Sequence, residues 1–307
     1  MDAAQTPGEA DAHRAAEAAP AETPANPMLR IGVFTLVSAG VGLLLAVDSA
    51  WSPGYVYAAG GAAVVMLAMA EFADLARRAG VEVSRPLLVV AGATLFLLQW
   101  AGWAWPKQFA DPWLCAVAVA GLAVMVPLSA RVMRGRIEGA LQSVSVTAAG
   151  LVYVPVLFGF LTPIRVNWGV WALITVVVVS KAGTSGAYLI GRTFGRAKLA
   201  PAVSPRKTVA GAAGQIFMSM AASYGLAVSP KGMMPPAEAV LYGALVGLMA
   251  MFGDLAESVL KRQARIKDSS HLMSALGGML DTIDDLLFVA PVSYFVLLWC
   301  VPGVQGG

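Results

Sequence analysis

Nine apolar runs punctuate this 307-residue chain, each long enough to cross a hydrocarbon core of about 30 Å as a helix. They fall at about 31–50, 55–74, 86–105, 112–130, 141–161, 168–190, 209–227, 237–253 and 284–301, the fifth and sixth being the least cleanly bounded. Lipid accepts only backbones that satisfy their own hydrogen bonds, which leaves helices and closed barrels. No run alternates polar and apolar residues as barrel strands do. The expected fold is therefore all-α, a polytopic membrane helical bundle of about nine transmembrane helices. With 58% hydrophobic and only 13% charged residues, a soluble two-domain protein is disfavoured.

The cations sort by connection. Arg77, Arg78 and Arg85 follow run two, and Arg131, Arg134 and Arg136 follow run four. Arg192, Arg196, Lys198, Arg206 and Lys207 follow run six, and Lys261, Arg262, Arg265 and Lys267 follow run eight. These are 15 of the 21 lysines and arginines, whereas the alternate connections hold only Lys107, Arg165 and Lys231. Basic short loops favour the cytoplasmic side. The expectation is a multi-pass protein of the cell (inner) membrane, with its N-terminus and basic loops cytoplasmic.

Residues 1–27, MDAAQTPGEADAHRAAEAAPAETPANP, have no apolar face to offset ordering entropy and read as a disordered cytoplasmic tail. They lack the basic start and early apolar core of a signal peptide. Cys115 and Cys300 lie in apolar runs without metal-ligand spacing and read as packing residues. A net charge of +3, with its asymmetry explained by topology, gives no sign of nucleic-acid binding.

Residues 28–175 read as N-terminal transmembrane helices with few polar groups. Glu71, near the end of run two, is either a snorkelling surface carboxylate or a group turned toward a site. Residues 176–307 hold the polar chemistry in two blocks. The first, SKAGTSGAYLIGRTFGRAKLAPAVSPRKTVAGAAG from Ser180 to Gly214, strings cations among small residues. Ser204, Pro205 and Thr208 suggest a turn into run seven, where exposed N–H groups and cations could receive a phosphate. A basic loop is equally what topology demands. No P-loop or GxGxxG pattern is present.

The second block, Gly253 to Asp285, mixes Asp254, Glu257, Asp268, Asp281, Asp284 and Asp285 with the cations after run eight. Ionisable groups beside membrane-grade sequence are functional candidates. Asp254 and Asp281, 27 residues apart, adjoin the same ends of neighbouring runs and could converge. Asp281, Asp284 and Asp285 share one helix face. Crowded carboxylates repel unless a cation neutralises them, and oxygen-only ligands favour Mg²⁺ or Mn²⁺ over zinc. Ion pairing with the basic loop is the plainer alternative. His271 has no spaced partner and reads as a loop residue.

Together the blocks resemble the phosphatidate cytidylyltransferases, or CDP-diacylglycerol synthases. The resemblance rests on Ser258, Lys261, Arg262, Lys267, Asp268, Gly277, Gly278, Asp281 and Asp284, with Gly253, Asp254 and Glu257 upstream. It rests also on Gly186, Ala187, Tyr188, Gly191, Arg192, Lys198, Pro201, Ser204, Pro205, Lys207, Thr208 and Gly211. Glu71-Phe72 is similar to a feature of the family's N-terminal half. The strong likeness covers about 180–285. Departures stand at Leu276 for a histidine, Thr282 for an arginine and Thr184 for an aspartate. Val209, Ala210 and Met273 differ as well.

The resemblance implies that residues 176–307 form a catalytic region that transfers CMP from CTP to phosphatidic acid. The products would be CDP-diacylglycerol and pyrophosphate, for phospholipid biosynthesis. It implies Asp254, Asp281 and Asp284 as ligands of Mg²⁺ or Mn²⁺, with Lys261 among the catalytic groups. Arg192, Lys198, Ser204, Lys207, Thr208, Arg262 and Lys267 would bind the substrates. A homodimer in the lipid bilayer is implied too. The departures keep two alternatives open: a catalytically weakened paralogue acting as a membrane partner protein, and a CTP-dependent kinase of a polyprenol-type lipid. A transporter would carry its charges at mid-membrane.

Overall fold

The computed structural model of the chain describes residues 54–106, 112–135, 137–266 and 278–301. The helices are α1 (Tyr55–Arg78), α2 (Arg85–Ala104), α3 (Pro112–Met133), α4 (Ala140–Leu151), α5 (Leu161–Phe194), α6 (Val209–Ala227), α7 (Pro236–Gln263) and α8 (Met279–Cys300). A π-helical turn, Val152–Val156, and a short turn, Leu157–Gly159, lead from α4 toward α5. Eight of the nine expected runs therefore lie in helices; the first, with the N-terminal tail, is outside the described residues. Six stretches among the described residues are long and apolar enough to cross a membrane. In that count Ala140–Phe194 is a single 55-residue stretch, which merges the fifth and sixth runs, and α6 is not included. The chain is an all-α polytopic membrane protein, with nine not established as its number of spans.

Local sequence explains the irregular joints. Pro155 sits in the π-helical turn, where its ring removes one backbone donor. Gln99 of α2 donates to the Pro155 carbonyl at 3.1 Å, so the widened turn keeps its hydrogen bonding inside the bundle. α5 is broken at Gly169, whose φ of 81° is left-handed and suits glycine. Arg165, expected in a connection, lies instead in the first part of α5. It is buried, and its guanidinium carbon is 5.3 Å from the Tyr57 ring centroid.

α5 packs on α6, α6 on α7 and α7 on α8, while α8 also meets α5 and α1. Tyr242, Phe96, Met69, Leu88 and Leu287 are fully buried in the core these helices share. Buried hydroxyls pair across helices, as lipid requires: Tyr242 with Ser293 at 3.0 Å and Tyr57 with Thr162 at 3.1 Å. Between α5 and α6 the expected turn is a small antiparallel hairpin, β1 (Lys198–Ala200) and β2 (Ser204–Thr208). Lys198 stands opposite Thr208, and Ala200 opposite Ser204.

Side-chain contacts join the connections at the basic end. Glu82, between α1 and α2, accepts from Arg131 of α3 at 3.2 Å, and its carbonyl accepts from Ser143 of α4 at 2.6 Å. The hairpin meets α7 there too. Aromatic rings gather elsewhere, with Trp100 and Trp105 at 4.9 Å and Tyr55 5.6 Å from Trp100.

Candidate active site at the basic end of the bundle

α7 and α8 bring their carboxylates together because Gly253 lets the two backbones touch. A Cβ on Gly253 would lie 2.4 Å from the Asp284 carbonyl oxygen and 3.0 Å from the Asp285 Cα. Only glycine permits that approach. One residue later, Asp254 faces the hairpin, where Lys207 of β2 pairs with it at 2.6 Å. One turn further, Glu257 is almost fully buried. Lys261 bridges it to α8, with its ammonium 2.9 Å from Glu257 and 2.8 Å from Asp281. Asp284 is buried within electrostatic range of Asp254, Asp285 and Lys181. The hairpin is tied down again by Arg262, which donates to the Val203 carbonyl at 3.1 Å. The two sequence blocks thus share one site.

Other expected residues lie further out. Arg192 is exposed on the last turn of α5, 3.1 Å from the Tyr188 hydroxyl, and Lys198 is exposed on β1. Ser204 opens β2 and is half-buried. Thr208 is buried, and its hydroxyl oxygen accepts from the Gly211 N–H at 3.1 Å as the N-cap of α6. Lys267, Asp268, His271, Met273, Leu276 and Gly277 lie outside the described residues. Thr282 donates to the Gly278 carbonyl at 2.9 Å, and Thr184 to the Ser180 carbonyl at 3.3 Å. Each of these two departures therefore spends its hydroxyl on its own helix.

Two contributors are not among the residues expected to hold metal or substrate. Glu71 of α1 accepts from the Met279 N–H at 2.9 Å and the Leu280 N–H at 2.8 Å. Those are the first two residues of α8, whose own N-cap, Gly278, offers no side chain. A carboxylate from a distant helix thus satisfies orphan donors and meets the positive end of the helix dipole. The choice left open by the sequence resolves toward the site. The second contributor is Lys181, inside the sixth apolar run. It donates to Asp285 at 2.7 Å and to the Thr282 carbonyl at 2.8 Å. Ser180 donates to the other Asp285 oxygen at 2.8 Å. The sequence signal for Lys181 is its depth, since a lone lysine within an apolar run marks a functional region.

The acidic donors are all carboxylate oxygens, which suits a hard divalent cation. Lysine ammonium groups stand against Asp254 and Asp281, where positive charge is required in any case. Among the described residues, no three Asp, Glu, His or Cys side chains are gathered tightly enough to hold a metal ion. The donor chemistry fits such an ion, and its binding would compete with the two lysines.

Fold and site together define a polytopic membrane protein with an acidic and basic centre at one end of its helices. The chain belongs to the cytidylyltransferase family, whose model matches residues 29–300. It is 35% identical over 173 residues to the phosphatidate cytidylyltransferase of Chlamydia pneumoniae, covering 52% of this chain and 56% of that one. Against the enzyme of that name from Bacillus subtilis (strain 168), identity is 34% over 148 residues, 48% of this chain and 55% of the other. The phosphatidate cytidylyltransferase of Helicobacter pylori (strain J99) is 32% identical over 224 residues, 71% of this chain and 79% of its own length. The chain spans about half the length of the first curated relatives it matches.

Proposed function

We propose that the protein transfers CMP from CTP to phosphatidic acid, releasing pyrophosphate and forming CDP-diacylglycerol at the membrane surface. The observation that carries this reading is the Glu257–Lys261–Asp281 bridge, with Lys207–Asp254 facing it from the hairpin. Such a centre holds cations and carboxylates side by side, as a reaction between two anions requires. A phosphate oxygen of the lipid would attack the α-phosphorus of CTP while pyrophosphate departs. Positioning and charge neutralisation supply most of the rate in phosphoryl chemistry of this kind.

Lys261 and Lys207 would neutralise phosphate oxygens, and Arg262 and Lys267 would add their charge to substrate binding. Arg192, Lys198 and Ser204 would serve the outer end of the nucleotide, while Thr208 holds the hairpin on α6. Asp254, Asp281 and Asp284 would hold Mg²⁺ or Mn²⁺. When bound, such an ion would draw the two anionic substrates together and offset charge on the leaving oxygens. The bias of lysine and arginine toward this end supports a cytoplasmic orientation in the inner membrane, where CTP is available.

The test uses purified protein, phosphatidic acid, Mg²⁺ and CTP labelled at the α-phosphorus. Label should enter the lipid, and Asp281→Asn should remove that incorporation while leaving the protein folded. A folded preparation that forms no labelled lipid with several phosphatidic acids, with Mg²⁺ or Mn²⁺, would overturn the assignment. In a parallel reaction with CTP labelled at the γ-phosphorus, label entering the lipid would mark a lipid kinase.

A further inference from the structure

The contact of Ser180 and Lys181 with Asp285 involves none of the residues assigned above to the metal or the substrates. A buried ion pair between two helices is costly to assemble, and well-packed apolar residues would hold α5 to α8 at least as well. The Asp285 side chain is 3% exposed and that of Lys181 20%. Stability is therefore a poor reason for this pair. What it supplies is direction. Lys181 grips one Asp285 oxygen and the Thr282 carbonyl, and Ser180 grips the second oxygen, all within 2.7–2.8 Å. Three hydrogen bonds on two residues one turn apart, Thr282 and Asp285, resist rotation of α8 about its axis.

Asp281 and Asp284 ride on the same two turns of α8. A carboxylate lies about 5 Å from a helix axis, so a rotation of about 10° moves it by roughly 1 Å. Misplacement by that distance can cost about a hundredfold in rate. We propose that Lys181 and Ser180 are positioning residues that, through Asp285, set the rotation of α8 and so aim Asp281 and Asp284 at α7. The inference rests on the reaction proposed above.

The test is a set of four variants in detergent: Lys181→Met, Lys181→Arg, Ser180→Ala, and the double replacement Lys181→Met with Asp285→Leu. Lys181→Met leaves a buried carboxylate alone and should lower both Tm and kcat. The double variant removes both charges, so Tm should recover while kcat stays at least about tenfold below wild type and KM for phosphatidic acid changes little. Lys181→Arg should regain part of kcat. A double variant that recovers wild-type kcat along with Tm would reduce the pair to a structural tie and overturn the proposal. If the double variant does not fold, Ser180→Ala decides: a several-fold fall in kcat at nearly unchanged Tm supports positioning, and an unchanged kcat rejects it. If the wild-type protein makes no product, the proposed reaction fails separately. Hydrogen exchange across residues 279–285 then serves as the readout. Faster exchange in Ser180→Ala supports the role in fixing α8, and equal exchange overturns it.

Discussion

α3 and α8 are both 22 residues long, both contain a proline, at Pro127 and Pro291, and both are apolar enough to cross a membrane. Yet only 6% of the apolar stretch of α3 is buried, against 50% of that of α8. The difference lies in what each helix offers its neighbours. α3 exposes Val117, Leu122, Met125 and Val126, a surface suited to lipid, and its one described polar tie is Arg131 near its end. α8 is gripped by Glu71 from α1, Lys181 from α5 and Lys261 from α7, and Gly253 of α7 lies against its backbone. Apolarity puts a helix into the bilayer. Polar partners and close backbone contact decide which helix sits inside the bundle, because lipid gives no preference among apolar faces.

That contrast can be broken most severely at Lys261. Lys261→Met leaves Glu257 and Asp281 side by side without a shared cation, a loss that in buried pairs costs about 3–5 kcal/mol. Thermal unfolding should shift markedly downward, and labelled CDP-diacylglycerol should fall by about a hundredfold or more. Glu71→Ala strips two donors of their acceptor at the start of α8. It should lower stability by about 2 kcal/mol, with Glu71→Gln in between, as denaturation of the solubilised protein would read. Gly253→Ala forces α7 and α8 apart and should destabilise by about 1–3 kcal/mol, with a matching drop in activity. Thr208→Ala, which removes the α6 cap, should cost about 1 kcal/mol. At the small end, Leu122→Ala on α3 should change stability by no more than about 0.5 kcal/mol and leave turnover untouched. A large loss there would mean that α3 is buried against something in the working protein.

The membrane class and the positions of eight runs were legible in the sequence because hydropathy and loop charge act locally. That Asp254 and Asp281 stand at the same end was legible as well, since both carboxylates adjoin the same ends of consecutive helices; their separate lysine partners, Lys207 and Lys261, were not. The hairpin was not, because its strands are short, polar and defined by pairing with each other. Glu71 remained undecided for a different reason. Its partners are backbone N–H groups, which leave no trace in residue type, and they lie 208 residues away. Lys181 went unread inside an apolar run, and its target Asp285 could be assigned only once α5 and α8 were placed together. The long α5 hid the boundary between two runs, since its break at Gly169 keeps the chain helical on both sides.

The link from Glu71 to Met279 also sets an order of events during synthesis. α1 leaves the ribosome 208 residues ahead of the donors that Glu71 will accept. At about 5–20 residues per second, that gap lasts on the order of ten to forty seconds. Throughout it, a carboxylate near the membrane must be served by water or by temporary neighbours. Insertion of α8 ends the wait. The same event that completes the candidate site therefore closes the first helix onto it, and a chain halted before residue 279 would present a membrane-proximal acid to the cell's quality control.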